Sequence, residues 1–260
     1  MSISPTASSA SAVVHRFYST DVSPCPYLPG RHERRLVALV GGGGNARPDD
    51  GDPRLDLLTE AGFRRSQGFL YKPVCPGCAG CVPVRVDVGR FRPARTFRKV
   101  LKRNADLAFA ERPARATPEQ FALFRRYLAS RHGDGGMVKM GWESYRDMVE
   151  VSPPSTRIVE FRDPEGRLVG ASLTDYIRSG LSGVYKFFEP GPEAEHRSLG
   201  THAILWHIGR AAELGLPYVY LGYWIEDCRK MAYKARFAPL ERLDGAEWVP
   251  LELPGAGGEG

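Results

Sequence analysis

Between Thr117 and Trp224 the start and stop signals of the chain leave room for one order of elements. In Thr117-Pro118-Glu119-Gln120 the threonine caps a helix, the proline fits a first turn that needs no N–H, and the glutamine three residues on returns the bond. That helix is predicted to run to about His132. A glycine-rich stretch, Gly133–Gly136, separates it from a short helix over Trp142–Val149, which Ser152-Pro153-Pro154 ends. Strands follow over Thr156–Phe161, Arg167–Arg178 and Leu181–Phe188, parted by a Pro-Glu-Gly turn and by Ser179-Gly180. Ser198 then caps a long helix whose Ile204, Ile208 and Ala211 share one face, and Gly215-Leu216-Pro217 stops it. PYVYLGYW is the strand behind it.

The first half is more broken. Arg31–Val40 reads as a strand and Arg54–Ala61 as a short helix. GFRRSQGFLYKP is extended, and Val82, Val84, Val86 and Val88 alternate as in a half-buried strand. Gly41–Pro53 is a loop. Its glycine run lacks the Gly-Lys-Ser/Thr end of a phosphate cradle, so it is read as a flexible connection. The expected organisation is a disordered leader (1–14), a basic, cysteine-containing domain (15–107), a second domain (108–250) and a flexible tail (251–260). From Thr117 onward the order of elements resembles an acyl-CoA N-acyltransferase domain of the acetyltransferase type. The resemblance implies an α/β (α+β) fold, with the smaller N-terminal domain beside it.

Charge divides the chain unevenly. Residues 1–131 hold 22 Lys+Arg against 11 Asp+Glu, and residues 132–260 hold 14 against 19. A large anion is therefore expected to meet the first half. Within it, RFRPARTFRKVLKR (Arg90–Arg103) carries no acid. No apolar run approaches the ~20 residues of a membrane span. The N-terminus has no basic start followed by an apolar block, so the cytoplasm is the expected compartment. Nor does any heptad pattern suggest an assembly surface, so a monomer is expected. Three of the five cysteines fall within seven residues, which suits metal or redox chemistry in a reducing compartment better than a disulfide framework.

In domains of the acetyltransferase type, backbone amides at a helix start approach the coenzyme pyrophosphate through Gln/Arg-x-x-Gly-x-Gly/Ala. Here the window is Arg197-Ser198-Leu199-Gly200-Thr201-His202. His202 is expected to obstruct the coenzyme where a small residue would admit it. Another activated acyl carrier with a phosphate backbone then has to serve, and aminoacyl-tRNA meets both conditions. Its ester is already activated, so positioning, loss of a proton and oxyanion stabilisation suffice, without a catalytic triad or cofactor.

Several segments are similar to the aminoacyl-tRNA–protein transferase family, which attaches an amino acid to N-terminal acidic residues. They are Cys25–Pro29, Gly62–Val86, Phe91–Leu107, Gly183–Pro190, Arg197–Ile208 and Pro217–Glu241, and the leucine-transferring bacterial branch fits best. The resemblance implies leucyl-tRNA as donor, proteins beginning with Asp or Glu as acceptors, and entry of the product into N-degron degradation. Arginyl-tRNA as donor, a basic RNA-binding module without catalysis and a coenzyme A-dependent acetyltransferase remain alternatives.

The candidate residues follow. Asp175, Tyr185 and Tyr223 lie on strands expected to frame the acyl site, the aspartate to orient or deprotonate the amine, the tyrosines to hold the ester. Arg64, Arg65 and Lys186 are candidates to read an acidic N-terminus; on a strand, only one of the adjacent arginines can face the pocket. Arg92, Arg95, Arg98, Lys99, Lys102 and Arg103 are candidates for tRNA phosphates. Lys230 and Lys234, four apart on a presumed helix, join them. Cys75, Cys78 and Cys81 with Cys25 offer four thiolates for zinc or an iron–sulfur cluster. Cys228 is read as packing, and the histidines, His207 among them, show no metal pattern.

Overall fold

The structure is a computed structural model that describes residues 16–39, 52–131 and 139–252. The expected leader, most of the Gly41–Pro53 loop, the Gly133–Gly136 stretch and nearly all of the tail lie outside the described residues. The first half contributes β1 (Phe17–Ser19), β2 (Ser23–Pro24), β3 (His32–Glu33), β4 (Arg35–Leu39), α1 (Pro53–Glu60), β5 (Arg64–Ser66), β6 (Phe69–Pro73), β7 (Val82–Asp87) and α2 (Arg95–Arg103). β8 (Ala108–Pro113), α3 (Pro118–Arg131), α4 (Trp142–Glu150), β9 (Thr156–Arg162), β10 (Leu168–Ile177) and β11 (Gly180–Phe188) come next. The chain then forms α5 (Pro192–Arg197), α6 (Leu199–Glu213), β12 (Tyr218–Trp224), α7 (Arg229–Ala232), β13 (Leu240–Asp244) and β14 (Glu247–Pro250).

The large sheet has eight strands in the order β14-β13-β7-β12-β11-β10-β9-β8, and β1-β4-β6-β5 form a smaller one. In the large sheet only β11 and β12 run parallel, joined by the crossover through α5 and α6; the other pairs are antiparallel. On one face α3 and α4 bury Leu123, Phe124, Leu128, Tyr145 and Met148 against Ile158, Leu173 and Phe187. On the other, Ile204, Leu205, Ile208 and Ala211 of α6 and Phe97 and Val100 of α2 pack on Val86, Leu181 and Val219. The antiparallel β8–β11 meander, the crossover helix and parallel β12 make this the mixed α/β acetyltransferase-type fold.

The two halves expected on either side of residue 107 interleave: β7 inserts between β12 and β13, and α2 shares the core of α6. The alternation at Val82–Val88 marks a strand correctly but cannot name its neighbours. The small unit is the β1-β4-β6-β5 sheet with α1, seated on the large sheet through Leu55, Leu58, Phe63, Leu70, Ile177 and Tyr220.

The helix punctuation at Thr117 is present as read. The Gln120 amide donates to Thr117 Oγ1 at 3.2 Å, and the Thr117 amide donates to Gln120 Oε1 at 3.1 Å. Replacing Thr117 with alanine is expected to cost about 1 kcal/mol of stability, read from urea or thermal melting. Ser198 behaves differently from expectation. It precedes α6 in a left-handed conformation (φ 54°), and its hydroxyl donates back to Glu195 O at 3.3 Å instead of capping.

Candidate active site

β11 and β12 pair only over Gly180–Ser182 with Tyr218–Tyr220, although both strands continue well beyond. Past Gly183 and Leu221 they part, and the wedge between them is a cleft. Arg64, reaching in from β5, closes its apex: Nη2 donates to Gly183 O at 2.7 Å and Nη1 to Ser182 Oγ at 3.0 Å. Gly222 makes room for it. A β-carbon at Gly222 would lie 2.5 Å from Arg64 Nε, and its φ of +77° suits a residue without one. The register shift between Tyr220 and Gly222 in the β12–β7 pair marks the same spot.

The cleft has two connected compartments. The inner one, about 410 Å³, is walled by Val184, Ile204, Val219, Leu221 and Met231 and by tyrosines, with Arg64, Lys186, Lys230 and Lys234 in its lining and no acidic residue among the described ones. The outer one, about 740 Å³, runs along the start of α6 at Ser198–Thr201. Tyr127, Lys186, Lys230 and Tyr233 border both. At this waist Lys186 Nζ stands 5.9 Å from the Tyr233 ring centroid. Burial, then the charge of Arg64, pushes Lys186 down to about 7.

His207, for which the sequence offered no role, lies in the floor of the inner compartment. Its Nδ1 is 2.6 Å from Ala203 O and its Nε2 2.8 Å from Thr174 Oγ1. A carbonyl only accepts, so Nδ1 carries the hydrogen and Nε2 accepts from the threonine. Burial foremost holds the ring well down, at about 4, so it is a neutral, fixed part of the floor. A signal existed: His207 falls on the same apolar helix face as Ile204 and Ala211.

Several expected residues are placed elsewhere or occupied otherwise. Arg65 and Asp175 face away from the cleft and pair with each other, both side chains 1% exposed, with Nε–Oδ2 at 2.7 Å and Nη2–Oδ1 at 2.9 Å. Thr156 Oγ1 donates to the same carboxylate at 2.7 Å. Asp175 and Arg65 are thus committed to each other away from the cleft, and of the two arginines Arg64 faces it. Tyr223 lines the inner compartment, but its hydroxyl is shared by the carbonyls of Gly62 and Tyr71, each at 3.0 Å. Tyr185 lines it too, and its buried hydroxyl has no hydrogen-bond partner.

Lys230 and Lys234 do not share a helix face. α7 ends at Ala232 and a 3₁₀ turn, Tyr233–Phe237, takes over, leaving Lys230 exposed at the rim and Lys234 buried with Nζ donated to Tyr223 O. A surface phosphate contact is thus excluded for Lys234. Burial foremost, then Arg64 and Lys186, holds it well below the ordinary lysine range. His202 is also corrected. It does not obstruct the helix start but turns into the core between Phe109 and Phe161, with both ring nitrogens unpartnered. What fills the approach to Gly200 is the Phe188 ring, whose Cε1 would lie 3.1 Å from an added β-carbon there.

The basic segment forms α2, with Phe97 and Val100 buried beneath it. At about 100° per residue, Arg98, Lys102, Arg95, Lys99 and Arg103 occupy one arc on the side away from them, and these five and Arg92 are all exposed. Their hydrogen bonds go to main-chain carbonyls: Arg92 to Gly89 and Phe91, Arg98 to Pro93, Arg103 to His196. Asn104 Nδ2 donates to Arg197 O at 2.8 Å, which ties α2 beside the outer compartment.

The four-thiolate site is not formed. Among the described residues no group of three or more His, Cys, Asp or Glu is placed to hold a metal. Cys25 Sγ accepts from the Leu28 amide at 3.5 Å, and Cys75 Sγ lies 3.7 Å from Arg34 O. Cys81 is pushed up to about 12 by burial and then by Cys75, Cys25 and Cys78. As placed, the residues do not fit a zinc or iron–sulfur centre.

The cleft lies between two parting parallel strands over a crossover helix, in a fold of the acetyltransferase type. The chain matches the family model "Arginine-tRNA-protein transferase, N terminus" over residues 23–99 and "Arginine-tRNA-protein transferase, C terminus" over residues 119–244. Aspartate/glutamate leucyltransferase of Gluconacetobacter diazotrophicus is 50% identical over 247 residues, spanning 94% of this chain and 92% of that one. The same-named protein of Parvibaculum lavamentivorans is 51% identical over 233 residues, spanning 90% and 93%. The solved "structure of L-PGS from Bacillus licheniformis" aligns at 14% identity and a TM-score of 0.42, covering 81% of this chain and 71% of that one. The chain belongs to the aminoacyl-tRNA–protein transferase family, in its aspartate/glutamate leucyltransferase branch.

Proposed function

We propose that this enzyme transfers leucine from leucyl-tRNA to the α-amine of proteins beginning with Asp or Glu, marking them for N-degron degradation in the cytoplasm, as a monomer and without a cofactor. The observation that carries the reading is the inner compartment: apolar walls, with Arg64 and three lysines and no acid among the described residues that line it. Burying a leucine side chain there is worth about 1.5–3 kcal/mol. An arginyl guanidinium would enter beside like charges with no carboxylate to meet it, which disfavours arginyl-tRNA. The same cations favour an acceptor that brings a carboxylate.

Arg64 is the group proposed to meet that carboxylate. Two of its N–H groups are spent on Ser182 and Gly183, which hold the guanidinium in place, and others remain to donate. The unpartnered Tyr185 hydroxyl is proposed as the donor to the ester or oxyanion. Tyr223 lines the same compartment as wall, its proton already committed. Outside, the cations of α2, with Arg92 and Lys230, are proposed to take the tRNA backbone and lead its acceptor end into the outer compartment. Among the described residues no helix is long and apolar enough to cross a membrane.

The test is transfer of labelled leucine or arginine from the matching tRNA to peptides beginning with Asp, Glu or a neutral residue. Leucine on the Asp and Glu peptides alone is expected; arginine transfer, or labelling of neutral peptides, would overturn the reading. Replacing Arg95, Lys99 and Lys102 with glutamine is expected to weaken tRNA binding and flatten its log–log salt dependence by about three, roughly one per lost phosphate contact. An unchanged slope would remove α2 from the RNA interface.

A further inference from the structure

Lys186 was expected to read an acidic side chain, but its place in the cleft suits a different part, which rests on the leucyl-transfer reading above. The two compartments meet at Lys186. If the aminoacyl group fills the inner one and the end of the tRNA the outer one, the ester that joins them crosses this waist. Two lysines border both compartments, and of these Lys230 is exposed at the rim whereas Lys186 is half-buried and then lies beside both the attacking nitrogen and the departing ribose oxygen. Among the described residues Lys186 has no acid in the inner lining to hold it protonated, and Glu195 lies along the outer compartment on α5.

We propose that Lys186 carries the proton of the transfer step, taking it from the attacking α-amine and delivering it to the leaving ribose oxygen. The neutral α-amine adds to the ester carbonyl, forming the C–N bond and an oxyanion. Lys186, as the free amine, takes the surplus N–H proton. The oxyanion collapses, the C–O bond to the ribose breaks, and the Lys186 ammonium protonates the departing oxygen. Atoms and charge balance, and the lysine ends as it began.

The surroundings support a lysine that is neutral when its turn comes. Arg64 from β5 faces it with positive charge, and Lys234 from the 3₁₀ turn and Lys230 from α7 line the same compartment without bringing an acid. Tyr127 of α3, Tyr233 and the neutral His207 of α6 add no negative charge. With its midpoint brought to about 7, half of the Lys186 side chains are free amine at that pH and more above it. A general base and acid poised near the working pH contributes typically 10²–10⁴-fold. The fixed charge that reads a carboxylate then belongs to Arg64, which keeps its proton throughout.

Three variants test this in single-turnover transfer of leucine from leucyl-tRNA to a saturating Asp-starting peptide. K186R keeps the charge but cannot give up its proton, so it is expected to slow transfer about 10²-fold or more, as K186A does, with peptide and tRNA binding unchanged. Ethylamine or methylamine added to K186A is expected to restore rate. The rising limb of the pH profile should then follow the pKa of the added amine, which titration of the acceptor's own ammonium near 7.7–8.0 cannot imitate. K186M, whose apolar chain suits the buried stem, confirms by circular dichroism and tRNA binding that the loss is not misfolding. Wild-type rate in K186R, or a folded K186A that no amine rescues, overturns the proposal. If the wild-type protein moves arginine instead of leucine, the donor reading fails separately, and the same panel run on arginyl-tRNA still decides the role of Lys186.

Discussion

Replacing Arg64 with methionine is expected to cut kcat/KM for Asp- and Glu-starting acceptors by about 10²- to 10³-fold, which corresponds to ~3–4 kcal/mol at about 1.4 kcal/mol per decade. The side chain is fixed by Ser182 and Gly183 at the apex of the cleft, so its charge reaches the acceptor without the entropy cost of ordering a free arginine. R64K keeps a charge but loses the fork and is expected to recover only part of the loss. Gly222→Ala should give the same phenotype although residue 222 touches no substrate, because the new methyl would stand 2.5 Å from Arg64 Nε and displace it. Peptide assays across Asp, Glu and neutral N-termini read both. An R64M enzyme that still prefers acidic acceptors would place the specificity elsewhere.

Asp175→Ala is expected to destabilise the fold by about 3–5 kcal/mol, because it leaves the Arg65 guanidinium buried without its counter-charge. The pair joins β5 of the small sheet to β10 of the large one, so the loss falls on the seam between them. Thermal melting and urea midpoints measure it. Changing both residues to leucine should recover much of the stability, since a paired charge and an apolar pair of similar volume are often close in energy. The sequence suggested a catalytic aspartate at this position. A D175A protein that melts like the wild type yet has lost kcat would restore that assignment.

The comparison of Arg65 with Arg64 shows what a sequence can and cannot say about a site. Neighbouring residues on a strand point to opposite faces, which follows from the backbone alone. Which face is the cleft depends on how β5 lies against β11, and that is set by residues more than a hundred positions away. Helix limits were legible because their signals are local: the Thr117–Gln120 box holds as read, and α6 stops at its expected end. His202 was misjudged for the same reason that Arg65 was. The motif places it near a helix start, but two residues beyond Gly200 the helix has rotated by about 200°, so the ring enters the core. The cysteine spacing told of proximity in sequence, whereas a metal needs its ligands aimed at one point, and the Cys25 and Cys75 sulfurs meet the Leu28 amide and the Arg34 carbonyl. α2 was plain as a basic run and hidden as a helix. Cations alternate poorly with Phe97 and Val100 unless the helical period is tried first.

The placement of β7 has a consequence for how the protein is made. A ribosome emits Val82–Asp87 long before Tyr218–Trp224 and Leu240–Asp244, the two strands that flank it. Until β12 emerges β7 has no mate in the large sheet, and until β13 follows its other edge stays bare. The β12-β7-β13 part of the large sheet is therefore among the last parts of the molecule to close. Severing the polypeptide after residue 107 would give two pieces, neither able to build those three strands alone; mixed, they would regain them only by threading the orphan strand back into its slot.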